Sequence, residues 1–310
     1  MKTNLITGGA GFIGSHLCDY LIEKGQRVIA VDNLISGNRK NIEHLLKNKN
    51  FCFIEHDVCK PLKIEKKIDF IYNLASPASP ADFEDYAIEI MMANSLGTKN
   101  VLDLAVEKKA TILEASTSEV YGDPLKHPQA ENYFGNVNCF GPRACYDESK
   151  RFSEALVYSY QKKFKLNAKI VRLFNTYGSR MRKDDGRVIP NFIIQSLNNK
   201  PLTIYGKGQQ TRSLCYVSDI VDGLYRLINS KYNKPLNLGN PNEITMLELA
   251  KKIKSITKSK SDIEFKKMPM DDPLRRNPNI KLAKKVLGWK PKISLDKGLK
   301  QTIGWFSKNY

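Results

Sequence analysis

Tyr146 and Lys150 stand four residues apart at the head of a segment, Tyr146 to Phe164, whose apolar spacing predicts a helix; both side chains then share one face. A phenol beside an ammonium is a proton-transfer pair, because the cation lowers the phenol pKa from about 10 and makes Tyr146 a usable base near neutral pH. Tyr-x-x-x-Lys is common on amphipathic helices and means little alone. Its company gives it weight. Ser116-Thr117-Ser118-Glu119 follows a predicted strand at Thr111 to Ala115, which brings the Thr117 hydroxyl to the same sheet edge as Tyr146.

A second constellation lies at the start of the chain. Thr7-Gly8-Gly9-Ala10-Gly11-Phe12-Ile13-Gly14 contains G-x-G-x-x-G and the related Gly8, Gly11, Gly14 spacing, after a β-rich run (Lys2 to Thr7) and before a helical pattern (Phe12 to Glu23). Glycines let the backbone turn sharply and approach a pyrophosphate, whose charge meets the N–H groups of the helix N-terminus. Asp32 ends the next predicted strand, where a carboxylate accepts hydrogen bonds from an adenosine ribose and repels a 2′-phosphate. NAD is favoured over NADP, with Arg39 the nearby feature pulling the other way. Asp57-Val58 and Leu74-Ala75-Ser76 follow two further strands, at the sheet edge where such folds bind ligands. A positive nicotinamide there would lower the Tyr146 phenol further.

Strand-like runs at Arg27 to Val31, Phe51 to Glu55, Asp69 to Asn73 and Ala168 to Leu173 complete the elements that must position these residues. Helical patterns, notably Ile88 to Glu107, separate several of them. This alternation predicts an α/β fold with a doubly wound, mostly parallel sheet. Past about Thr176 the elements shorten, prolines multiply (Pro190, Pro201, Pro269, Pro273, Pro278), and a smaller lobe is expected. Val217 to Ile228 and Pro235 to Gly239 read as a helix and strand returning to the first unit. The expected division is therefore residues 1–175 with about 214–241, and about 176–213 with 242–310.

At 310 residues, 41% hydrophobic and 26% charged, the chain reads as a soluble globular protein, with no stretch near the roughly eighteen apolar residues of a membrane span. The start runs directly into a strand, so a cytoplasmic protein is expected. The formal charge of +18 comes mainly from dispersed lysines, without an arginine-rich or aromatic-interleaved tract; steering of an anionic substrate is expected from it, and nucleic acid is not the expected partner. Six cysteines lack any C-x-x-C pair or zinc spacing, so free thiols, mostly in the core, and no metal are expected.

With the glycine turn, Asp32, Thr117 and Tyr146-x-x-x-Lys150 in this order, the chain resembles the extended short-chain dehydrogenase/reductase family over essentially its whole length. Within it, several segments are similar to UDP-glucuronate decarboxylases: Ala75-Ser76-Pro77-Ala78-Ser79-Pro80, Gly122-Asp123-Pro124, His127-Pro128-Gln129, Gly141-Pro142-Arg143, Arg172-Leu173-Phe174-Asn175-Thr176-Tyr177-Gly178, Asp185-Gly186-Arg187-Val188, Gln210-Thr211-Arg212-Ser213 and Asp271-Asp272-Pro273 with Arg276. The chain departs from that pattern at Met92, Phe134, Cys139-Phe140 and Ser179.

The resemblance implies an NAD-binding Rossmann fold with a smaller C-terminal lobe for a UDP-sugar. It assigns the cofactor to Gly8, Gly11, Phe12, Ile13, Gly14, Asp32, Asn33, Asp57, Val58, Leu74, Ser76, Tyr146, Lys150 and Thr176. Catalysis falls to Thr117, Glu119, Tyr146, Lys150 and Arg276, and the nucleotide sugar to Asn175, Arg187, Tyr205, Arg212 and Arg276, with Arg187 reaching the cofactor as the other option. The implied reaction oxidises UDP-glucuronate at carbon 4, loses carbon dioxide from the resulting β-keto acid, and reduces the product to UDP-xylose. Glu119 and Arg276 belong to the neighbourhood where carbon 5 is protonated. The helices at 88–107 and 146–164 resemble a family dimer interface, so a homodimer is expected. The rival readings are an NDP-sugar 4,6-dehydratase or 4-epimerase, and a non-catalytic NAD- or RNA-binding scaffold.

Overall fold

A computed structural model describes residues 1–267 and 275–310; the Asp271-Asp272-Pro273 motif, with Pro269, lies outside the described residues. Strand and helix alternate first as β1 (Thr3–Thr7), α1 (Phe12–Glu23), β2 (Arg27–Asp32), β3 (Phe51–Glu55), β4 (Phe70–Asn73), α2 (Ala87–Met92), a π-helical turn (Ala93–Gly97), α3 (Thr98–Lys108) and β5 (Thr111–Thr117). They continue as α4 (Ala144–Phe164), β6 (Ala168–Leu173), β7 (Thr176–Tyr177), α5 (Val188–Leu197), β8 (Leu202–Tyr205), β9 (Thr211–Ser213), β10 (Cys215–Tyr216), α6 (Val217–Ile228) and β11 (Pro235–Leu238). Last come β12 (Glu243–Thr245), α7 (Met246–Thr257), β13 (Ile263–Lys266), α8 (Lys281–Leu287) and α9 (Leu295–Asn309).

Seven strands form one parallel sheet in the order β11-β6-β5-β4-β1-β2-β3. Both faces are covered, because alternate residues of each strand enter two cores. Leu5, Ile29, Ile71, Ile112 and Ile170 pack with Val101, Leu102 and Val157 of α3 and α4; Ile6, Val28, Tyr72, Leu113 and Val171 pack with Leu17 and Leu21 of α1 and Ile220 and Leu224 of α6. Strand order reverses between β1 and β4, so a crevice opens outside their C-terminal ends, where doubly wound sheets hold ligands. Beyond the sheet, β8 pairs with β13 and β9 with β12.

Two expectations change. The continuous helix over Ile88 to Glu107 is broken by the π-helical turn: a Cβ on Gly97 would lie 2.8 Å from Val58 Cγ2, and Asn94 turns inward to donate to Ser149 Oγ at 3.0 Å. The cysteines are not mostly core. Cys18 and Cys215 are buried, Cys59 and Cys145 half-buried, and Cys52 and Cys139 exposed, since Cys52 falls on the outward face of edge strand β3 and Cys139 in the loop before α4. Among the described residues no helix is long and apolar enough to cross a membrane.

Candidate active site

Every residue assigned above to the cofactor, catalysis or substrate lines one cavity of about 880 Å³ at the C-terminal edge of the sheet. Its floor begins where β1 ends. Gly8 turns the chain with a φ of +70°, a Cβ there would lie 2.9 Å from the Leu74 backbone, and one on Gly14 would lie 2.0 Å from Gly8 O. Gly11 caps α1 without a side-chain hydrogen bond, and the first turn carries no acid, so the positive end of the helix is left for an anion. Asp32 Oδ2 accepts from Ala10 N (3.0 Å) and Oδ1 from Leu34 N (2.9 Å), so this carboxylate also ties the turn together. Arg39 instead stacks over the Phe53 ring. Asn33, Asp57 and Val58 line the same end, with Val58 O held by Asn100 Nδ2 at 2.9 Å. A close-packed glycine cradle, an uncapped helix start and a carboxylate at the second strand fit an NAD dinucleotide.

At the other end stands Tyr146, in the first turn of α4 and stacked on Phe83 with centroids 5.2 Å apart. Burial pushes its phenol well above the ordinary range, while a hydrogen bond with the Thr117 side chain and the nearby Arg187 guanidinium act in the opposite direction. The lowering expected from Lys150 does not appear: the groups that act on the phenol are Thr117, Glu119, Arg187 and Asp147, and desolvation dominates them. Lys150 Nζ points down to donate to Ala115 O at 2.8 Å. Thr117 closes β5, where its Oγ1 also accepts from Glu119 N at 3.2 Å.

Glu119 sits between two guanidiniums. Arg276 Nη2 and Arg143 Nη2 each donate to Oε2 at 2.7 Å, and Arg276 Nη1 donates to Oε1. Burial alone would raise this carboxyl, yet Arg276 and then Arg143 hold it down at about 2. Asp147 nearby moves the other way, to about 7, through burial and the negative charge of Glu119. Arg276 Nε, buried, has no hydrogen-bond partner among the described residues. Sequence reasoning placed Glu119 and Arg276 here but did not single out Arg143. The signal was present: Arg143 closes the Gly141-Pro142-Arg143 motif and caps α4 just ahead of Tyr146.

The remaining assigned residues ring the far wall. Arg187 precedes α5 and is held by Asp185, with Nη2 donating to Oδ2 at 2.6 Å; its influence on Tyr146 places it toward the reacting end. Asn175 and Thr176 follow β6, with Cys215 N donating to Asn175 O at 2.9 Å. Tyr205 is 43% exposed at the rim, and Arg212 on β9 donates to Thr211 O at 2.9 Å. Leu74 and Ser76 line the cavity on the loop after β4.

A family model described as GDP-mannose 4,6 dehydratase matches residues 5–302. The chain is 52% identical over 307 residues to UDP-glucuronic acid decarboxylase 1 of Danio rerio, covering 99% of this chain and 73% of that protein. It is 50% identical over 295 residues to UDP-glucuronic acid decarboxylase 2 of Arabidopsis thaliana, covering 95% and 66%. Among solved structures it is similar to UDP-glucuronic acid 4-epimerase from Bacillus cereus in complex with UDP-glucuronic acid and NAD, with a TM-score of 0.89, 28% identity, and 99% and 100% of the two chains covered. A dTDP-glucose 4,6-dehydratase from Bacillus anthracis in complex with NAD matches with a TM-score of 0.89, 26% identity, and 100% and 97% covered.

Proposed function

Since the chain belongs to the family described as GDP-mannose 4,6 dehydratase, within the extended short-chain dehydrogenases/reductases, we propose that it converts UDP-glucuronate to UDP-xylose with NAD as a recycled cofactor. The observation that carries this reading is the pairing of Arg276 and Arg143 around Glu119 in the same cavity as Thr117 and Tyr146. A concentration of guanidinium suits a sugar that bears a carboxylate, and it lies where that sugar's ring would meet the base.

NAD, which the Gly8-Gly11-Gly14 cradle and Asp32 would hold, would supply the hydride acceptor for sugar carbon 4 and the hydride for the closing reduction. Tyr146 takes the proton of the 4-hydroxyl, which Thr117 orients. The ketone so formed lies β to the carboxylate at carbon 6. When the bond between carbons 5 and 6 breaks, carbon dioxide leaves and the electron pair passes into an enolate, whose oxygen Tyr146 and Thr117 stabilise by hydrogen bonding. Carbon 5 then receives a proton from a solvent water that Glu119, itself ionised, and Arg276 hold beside it, and the hydroxide left behind is neutralised by bulk solvent. Arg187 and Arg212 answer the diphosphate, and Asn175 and Tyr205 answer the ribose and uracil.

Residues 1–175 with about 214–241 carry the cofactor in this reading, and about 176–213 with 242–310 the nucleotide sugar. The enzyme acts in the cytoplasm as a homodimer, and the pairing is supported by the exposed Met91 and Leu96 beside Phe152 and Tyr158 on neighbouring helices.

Incubation with UDP-glucuronate and NAD, followed by carbon dioxide release and proton NMR of the sugar, tests the proposal. UDP-xylose with stoichiometric carbon dioxide is expected. A released 4-ketopentose, UDP-galacturonate, or an unchanged substrate would overturn it.

A further inference from the structure

The face of β5 that turns toward α4 carries Ile112, Glu114 and Ser116, and the middle residue is a carboxylate with a side-chain exposure of 1%. A hydrophobic cluster containing Ile112, Val157 and Ile71 surrounds the lower part of this face, so a charge here needs a partner. Its surroundings are directional. Leu74 N and Ala75 N donate to Thr7 Oγ1 at 3.2 and 3.3 Å, Thr7 Oγ1 donates to Asn73 Oδ1 at 2.6 Å, and Asn73 Nδ2 donates to Glu114 Oε2 at 2.6 Å. The Ser153 hydroxyl donates instead to Lys150 O at 2.9 Å, on the turn of α4 that carries the lysine. Burial pushes this carboxyl up, and Lys150 first and then the Asn73 amide act against that rise. The other oxygen, Oε1, has no hydrogen-bond partner among the described residues and lies 4.0 Å from Lys150 Nζ.

Lys150 is as deeply buried, and burial disfavours its ammonium, while Glu114 and then Glu154 favour it. These two carboxylates do not compete equally. Both oxygens of Glu154 are held by Arg172, at 2.9 and 2.8 Å, and one also accepts from Ser116 at 2.5 Å. Glu114 faces the ammonium without a cation of its own.

We propose that Glu114 is the counter-ion of Lys150, a positioning residue that keeps this buried ammonium charged at the wall of the cavity, where it can serve the Tyr146 base. The hydrogen-bonded chain through Asn73 and Thr7 anchors that counter-ion to the loop after β4, which lines the cofactor end of the cavity. This inference rests on the reading of Tyr146 and Lys150 as the base pair, and wild-type turnover of UDP-glucuronate tests that reading separately.

The direct measurement is the charge of Lys150 in NAD-saturated enzyme carrying 13Cε-labelled lysine, with the signal assigned by its loss in Lys150→Arg. In Glu114→Gln the midpoint of Lys150 is expected to fall by about one to three pH units, the effect of an opposite charge at this range. The alkaline limb of kcat/KM should move down with it, and Glu114→Asp should restore part of the shift. A midpoint unchanged in Glu114→Gln, or a uniform loss of activity with both pH limbs in place, would overturn the proposal in favour of a packing role. Should the variant not fold, wild-type enzyme decides: an ammonium that persists beyond about pH 9 supports the pairing, and one lost sooner refutes it.

Discussion

Removing Arg276 while leaving Glu119 in place should expose how much of the site's stability is electrostatic. Glu119 is held at about 2 against an ordinary 4.5, although burial acts to raise it. A depression of that size corresponds to roughly 3 kcal/mol of preference for the ionised acid in the folded state. The charge of Arg276 is the largest single contribution to it, followed by that of Arg143. In Arg276→Met the buried carboxylate keeps one cation, and the loss at pH 7 should be on the order of 3 kcal/mol, at the low end for breaking a buried pair. The pH dependence has a definite sign. A depressed carboxyl contributes stability above its unfolded value of 4.5, and that contribution fades as pH falls toward 2. Urea denaturation at pH 7 and pH 4 should therefore show a smaller difference between the two pH values in Arg276→Met than in the wild type. The double variant Glu119→Gln/Arg276→Met should regain part of the stability, because the buried carboxylate is removed with its guanidinium and Arg143 still has Asp147 at 3.9 Å, but none of the decarboxylation. A single variant as stable as wild type at pH 7, or a double variant no better than the single, would refute the reasoning.

Tyr146→Phe should keep its NAD, read from absorbance of the purified protein, and lose about a hundred- to ten-thousand-fold in carbon dioxide release, the usual worth of a positioned base. In Gly14→Ala the new Cβ would lie 2.0 Å from Gly8 O, so the turn must open; NAD binding, followed by fluorescence titration with NADH, should weaken far more than thermal stability does.

Part of this protein was legible in its residues alone. The glycine turn, the run of strands from Thr3 to Leu173 and the four-residue step from Tyr146 to Lys150 are local patterns, since period, turn chemistry and helical phase act between neighbours in the chain. Glu119 and Arg276 were placed by family resemblance, because nothing local links residues so far apart in the chain. Only the tertiary structure decided how these groups are charged. Glu119 sits low because Arg143 and Arg276 both reach its carboxylate, and Tyr146 sits high because its surroundings exclude water. Glu114 reads in the sequence as one polar residue in a strand, and Asn94 as one position in a continuous helix. Packing turns the first toward Lys150 and the second into a π-helical turn. Charge state and helix defects depend on what burial places nearby, and burial is a property of the assembled layers.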